Sequence, residues 1–209
     1  MKISNLTQAR TLLQFSLAEY SAVRKTYADQ VYEAVHSYLT DRRKIDKDFR
    51  DAMRTAVEVA FVAAAVAAWA DGSGERILTV DALAFLAAYK AAEMGFVESL
   101  LVSLRLIKLQ ESEDTVPEVI AQQRADGYAK TLDMVYNEFK VWGAGNTMLT
   151  FVGEDGDETC IDCYKYKGKR HRASWWIAHD AIPPNRNFEC KGYRCMHVLV
   201  DDSGRLFTI

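Results

Sequence analysis

The chain has 209 residues, of which 49% are hydrophobic and 26% charged, so it can bury a core of its own without outside support. A net charge of −3 and a pI near 5.8 exclude a surface built throughout for nucleic acid. The opening MKISNLTQARTLLQF lacks a basic cluster leading into an apolar stretch and a small-residue cleavage site. A reducing, intracellular setting is therefore expected, where clustered cysteines favour metal binding over disulfides.

The first predicted element is a long helix from about Leu6 to Leu39. Leu13, Leu17, Tyr20, Tyr27, Val31, Val35 and Tyr38 recur on one face of it. The polar run Asp41-Arg42-Arg43-Lys44 breaks the pattern, and a second helix is expected from about Lys47 to Ala70. Its stripe is Phe49, Met53, Val57, Phe61 and Ala64, and Asp71-Gly72-Ser73-Gly74 reads as its stop. Within it, Val57 to Ala70 is apolar apart from Glu58. The stretch falls short of the roughly 20 residues of a membrane span and is half alanine, which argues for a helix buried among other helices.

A third helix is expected from Val80 to about Gln110, with Leu83, Leu86, Tyr89, Met94, Val97, Leu101, Leu104 and Leu109 as apolar contacts. The acidic run Glu111 to Asp114 reads as a loop. Thr115 and Pro117 open a fourth helix reaching about Val141, with Val119, Tyr128, Leu132, Val135, Tyr136 and Phe139 facing inward. Gly143-Ala144-Gly145-Asn146 ends the helical pattern. Beyond it lie strand candidates at Met148–Val152, Val198–Val200 and Leu206–Ile209, the last two flanking the turn Asp201 to Gly204. The expected architecture is mainly α with a small α+β part: a long-helix bundle over residues 1–145, then a compact β-rich, zinc-ribbon-like module over 146–209.

All four cysteines lie in that module, as Cys160-x-x-Cys163 and the wider Cys190-Lys191-Gly192-Tyr193-Arg194-Cys195. Two close thiol pairs joined by a longer segment suit one tetrahedral zinc ion, and Gly192 can relieve the wider turn through a positive φ. Four thiolates leave no position for water, so such a site is structural and lends folding energy to a small segment. Cys195-x-His197 alternates as a strand does, which keeps open a second set of Cys160, Cys163, Cys195 and His197. Four reduced core cysteines, or disulfides formed outside the cell, are the metal-free readings.

Between the pairs, Lys165, Lys167, Lys169, Arg170 and Arg172 form a basic run around Tyr166. They read either as contacts to nucleic-acid phosphates or as a solvated hairpin guarding a sheet edge; Asp157, Glu158 and Asp162 offset the charge. His171 reads as a solvated residue, and at least one of Trp175 and Trp176 as core. Nothing resembles a phosphate-cradling glycine loop, a nucleophile elbow or a histidine-bearing metal helix, so a non-enzymatic protein is expected.

The order of motifs carries a resemblance. Thr159-Cys160-Ile161-Asp162-Cys163, Gly168-Lys169, Ser174-Trp175, Pro183-Pro184 and Cys190-Lys191-Gly192-Tyr193-Arg194-Cys195 follow one another between Thr147 and Leu199. This run resembles the C-terminal segment of phage head morphogenesis proteins, the minor head proteins related to protein F of phage Mu. The resemblance implies a virion structural protein, present in the host cytoplasm during assembly. Its partners would be portal or capsid proteins, with several copies per particle and a role in head assembly, DNA packaging or DNA delivery. A zinc-dependent nucleic-acid-binding protein, regulating transcription or packaging, is the alternative. Association with a membrane would depend on Val57–Ala70.

Overall fold

The computed structural model describes residues 6–41, 43–110, 116–153, 160–192, 195 and 197–209, with side chains of the first helix described from residue 18 onward. Four long helices come first: α1 (Leu6–Thr40), α2 (Asp46–Ser73), α3 (Val80–Gln110) and α4 (Pro117–Gly143). A short mixed segment follows: β1 (Met148–Gly153), α5 (Ile161–Tyr166), β2 (Arg170–Arg172), α6 (Ala173–Ala178) and β3 (His197–Asp201). The protein is mainly α with one small antiparallel sheet near the C-terminus, where the cysteines cluster. The acidic run 111–114, Thr115, Asp157 and Glu158 lie outside the described residues.

The chain divides into two compact units, one of residues 21–64 and 79–132, the other of 1–20, 65–78 and 133–209. Among its described residues the first unit holds helices and their connectors, with no strand. Tyr27, Val31 and Val35 of α1 are buried, as are Met53, Val57 and Phe61 of α2, Val97, Leu101 and Leu104 of α3, and Leu132 of α4. Tyr27 meets Phe61 and Tyr128 edge-on, at 5.9 and 6.5 Å between ring centres. Lys108 near the end of α3 donates to the carbonyls of Tyr38 (2.8 Å), Asp41 (3.2 Å) and Lys44 (3.3 Å). It thereby satisfies the Tyr38 carbonyl in the last turn of α1 and ties down the connector that follows. The Tyr38 hydroxyl donates to Asp46 at 2.7 Å; burial and that carboxylate push it up to about 12.

Three inward assignments do not hold. Leu83, Leu109 and Val119 are exposed at 52%, 79% and 52%. Helix α3 is apolar on most of its circumference, so periodicity could not say which face meets the core. By length and composition α2 is the one helix, among the described residues, able to cross a membrane; 56% of its most apolar window is buried.

The second unit joins helix ends to the sheet. Helix α2 does not stop at Asp71 but continues to Ser73. Gly72 serves close approach: a methyl there would sit 3.0 Å from Ala144 N and 3.1 Å from Gly143 C, and closer still to the Lys140 carbonyl. Beside this crossing the fully buried Asp71 carboxylate accepts from Lys140 (2.6 Å), Tyr136 (2.8 Å) and Arg205 (3.1 Å). Burial lowers the Lys140 pKa, and the Asp71 charge opposes it. Buried Asn137 donates to the carbonyls of Pro183 and Ile209 and accepts from the Ile209 N–H at 2.9 Å.

The sheet has the order β2-β1-β3, all antiparallel. Met148 pairs with Arg172 and Thr150 with Arg170 on one side; Phe151 pairs with Leu199 and Gly153 with His197 on the other. Leu149, Phe151 and Leu199 point inward and pack with Trp176, Ile182, Phe188 and Phe207, together with Val141 and Ala144 from the end of α4. The strand expected at Leu206–Ile209 shrinks to one bridge, Val200 with Leu206. Past it the Thr208 hydroxyl takes the Leu199 N–H at 2.9 Å, a bond the strand ladder would otherwise need.

Candidate metal centre

Cys160 and Cys163 sit at the start of α5. Cys160 is the residue preceding the helix, and its sulfur accepts the Cys163 N–H at 3.4 Å while its carbonyl accepts the Tyr164 N–H at 3.0 Å. The short helix therefore turns both thiols to one side. Cys163 is buried against the aromatic core; Cys160 is half-buried.

Cys190 reaches them through a clasp invisible in the sequence. The Glu189 N–H donates to the Asp162 carboxylate at 2.9 Å, and the Ile161 N–H donates to the Glu189 carboxylate at 3.0 Å. The two segments thus hold each other at both ends, one residue away from a cysteine on each side. Buried Phe188, stacked on Tyr166 at 5.7 Å, anchors the loop from below. The turn after it places Lys191 at φ 52° and Gly192 at φ 75°, the positive value expected for the glycine. A side chain at Gly192 would also meet the Met134 methyl at 2.5 Å.

His197 opens β3, and Cys195 lies two residues before it. The Cys163 and Cys195 sulfurs are 3.7 Å apart. The buried His197 imidazole lies against Phe151, at 5.3 Å between rings, on the strand position opposite Gly153. A methyl on Gly153 would fall 2.7 Å from His197 Cγ and 3.0 Å from its Cα, so only glycine leaves room for the ring.

Two triads result, Cys160–Cys163–Cys190 and Cys163–Cys195–His197, each with donor atoms within 4.8 Å of one another. Cys163 belongs to both. All four cysteines are free thiols. The five residues are close enough to hold a metal ion. The spacing also suits one chemically: a tetrahedral ion with bonds of about 2.3 Å to sulfur sets its ligands about 3.8 Å apart, close to the observed Cys163–Cys195 separation.

The thiols influence one another as ligand sets do. A hydrogen bond from the Cys163 thiol brings Cys195 down to about 7, against burial. Cys163 is pushed up by its partnership with Cys195 and by burial. Burial raises Cys190 as well. Burial acts against Cys160, yet the backbone N–H groups of Cys163 and Cys190 hold it below its usual range. Binding a cation favours every thiolate at once, which relieves the conflict.

The basic residues differ in their surroundings. Arg170 is engaged by Asp202 at 2.6 and 3.1 Å across the sheet. Lys165 and Lys169 lean over the Tyr166 ring at 5.1 and 5.7 Å, Lys167 is half-buried in the turn after α5, and Arg172 is exposed at the end of β2. Trp176 is completely buried and donates to the Leu149 carbonyl at 3.3 Å. Half-buried Trp175 is sandwiched between His171 at 3.8 Å and His179 at 3.9 Å. Neither histidine is among the grouped donors.

No protein-family model, curated protein or solved structure matches the chain.

Proposed function

We propose that this chain is a non-enzymatic structural protein of a phage head, a minor head protein, whose C-terminal module is stapled by a zinc ion held by Cys160, Cys163, Cys190 and Cys195. One observation carries the structural role. Two donor triads, Cys160–Cys163–Cys190 and Cys163–Cys195–His197, share Cys163, so an ion taken up by the four thiols would have its positions filled by protein. A filled coordination shell has no place for a substrate or an activated water, and its product is a rigid surface. The motif order from Cys160 to Cys195 supports the phage assignment, with portal or capsid proteins as partners and several copies in the particle. The chain would reside in the virion, and in the host cytoplasm during assembly.

Particle composition tests this reading. Phage heads purified by density gradient and analysed by mass spectrometry should contain the protein at a fixed ratio to the portal, together with matching zinc. Recovery only in the soluble lysate overturns it.

A second reading, binding of nucleic acid, rests on Lys165 and Lys169, exposed beside Tyr166, and on exposed Arg172. It requires DNA affinity that falls steeply with salt and weakens when these three are neutralised. No binding at low salt eliminates it.

A further inference from the structure

Helix α3 carries a large apolar face that its own unit leaves open. At about 100° per residue, Val80, Ala84, Ala88, Ala91, Gly95, Ser99, Val102, Leu106 and Leu109 fall within about 60° of the direction set by Gly95. Every one of them is exposed. Val80, Val102, Leu106 and Leu109 show 82%, 54%, 57% and 79% of their surface to solvent. Gly95 is the midpoint of the helix Val80–Gln110, and a methyl placed on it would meet nothing within 4 Å.

The two halves of this face differ in size. Before Gly95 the stripe is small, with Ala84, Ala88 and Ala91; after it the stripe is large, with Val102, Leu106 and Leu109. Two such helices laid antiparallel about Gly95 would set Leu106 over the other copy's Ala84 and Val102 over its Ala88. Ser99 would fall on Ala91, and the two glycines would meet on the axis. Bulky residues then fill spaces left by small ones from Ala84 to Leu106. A parallel pairing would instead oppose large to large and small to small.

We propose that this face of α3 is where a second copy of the chain docks, with two α3 helices packed antiparallel about a two-fold axis through Gly95. The symmetry is of the closed kind, in which one patch binds itself. Three polar groups on and beside the middle of the stripe are already engaged within one copy. Ser99 donates to the Gly95 carbonyl at 3.1 Å, Glu98 accepts from Arg50 at 2.8 Å, and Arg105 pairs with Asp46. Between Ala84 and Leu106 docking would strand no charge; Asp81 also falls on the stripe, in the first turn of the helix, where the other copy's Leu109 would lie beside it at the solvent-facing end of the contact. The ion pairs along one edge supply the polar rim that a protein partner tolerates and a bilayer does not. A helix of 31 residues is about 46 Å long. A contact strip about one helix diameter wide then buries about 500 Å² per copy, or about 1,000 Å² in all, the lower bound for a specific interface. A reversible dimer of modest affinity follows. The inference is independent of the phage reading and of the metal.

Sedimentation equilibrium over a concentration series tests it with the full chain. The wild type should shift from monomer to dimer mass. Val102→Glu and Ala88→Lys should each weaken the dimer by about tenfold or more, since each buries a charge with no partner. The double variant should recover the dimer, because antiparallel pairing sets each new acid against a new base twice. Unchanged far-UV circular dichroism confirms that these exposed sites leave the fold intact. A monomer at every concentration overturns the proposal, as does a dimer indifferent to both single changes or a double variant that stays monomeric. A monomer that sediments with phosphatidylcholine vesicles also overturns it, assigning the face to lipid.

Discussion

Adding one methyl to α2 should destabilise the protein, while the same addition to α4 should stabilise it. Gly72 and Gly143 lie at the contact of the two helix ends, and each would drive a methyl into the other's backbone: that of Gly143 would come 2.9 Å from the Trp69 carbonyl oxygen. At Gly72 the obstructing Lys140 oxygen belongs to helical backbone and must retreat by about 1 Å to restore ordinary carbon–oxygen separation. Lys140 is itself tied to Asp71, so the strain spreads into the buried ion pair. Overpacking of this kind costs about 1–3 kcal/mol, offset by about 1 kcal/mol from the better helix propensity of alanine. Gly127 sits within α4 with nothing inside 4 Å, so Gly127→Ala keeps the propensity gain without the clash. Urea unfolding followed by circular dichroism should place the two midpoints about 1 M apart, on either side of wild type. Equal or greater stability of Gly72→Ala would refute the close-approach account.

Zinc content after purification separates the ligand sets: Cys190→Ser should lose the ion and His197→Gln should keep it. The reverse pattern would assign the site to Cys160, Cys163, Cys195 and His197. Chelation should unfold the segment after residue 146 while the helical signal largely persists, read by loss of the near-ultraviolet tryptophan bands; unchanged bands would show that the ion is dispensable. Burial lowers the Lys140 pKa below its ordinary 10.5, so between the folded value and 10.5 the unfolded chain binds more protons and stability rises with pH. Lys140→Met should remove that rise in alkaline urea melts, and a slope identical to wild type would mean that Lys140 does not titrate differently on folding.

The long helices were legible because each carries a sustained periodic stripe. Tyr27, Val31, Val35 and Tyr38 in α1 and the stripe from Phe49 to Ala64 in α2 are buried as the pattern requires. Periodicity ceased to discriminate in α3, where apolar residues surround the axis and Leu83 and Leu109 face solvent. Gly72 illustrates a second limit. A glycine near a helix end signals a stop as readily as a crossing, and only the partner helix decides. In the metal region the cysteine spacing marked the thiols that cluster, yet Cys190 and Cys195, expected as a pair, fall in different triads that share Cys163. The clasp between Asp162 and Glu189 had no such signature: it joins residues distant in sequence whose types are common on any surface. Gly153 was equally silent, because its role exists only in register with His197. The basic run was read as a unit, yet Arg170 is committed to Asp202, a pairing set by sheet order.

The cysteine-bearing segment does not own its foundation. Val141 and Ala144 belong to its apolar core, Asn137 grips Ile209, and Arg205 is engaged by Asp71 from the end of α2. A polypeptide begun at residue 146 would carry all four thiols and leave those supports behind. Gene shuffling could not move such a cassette to a new host protein by cutting at a single seam; it would have to bring along pieces of two helices that have the whole of α3 between them.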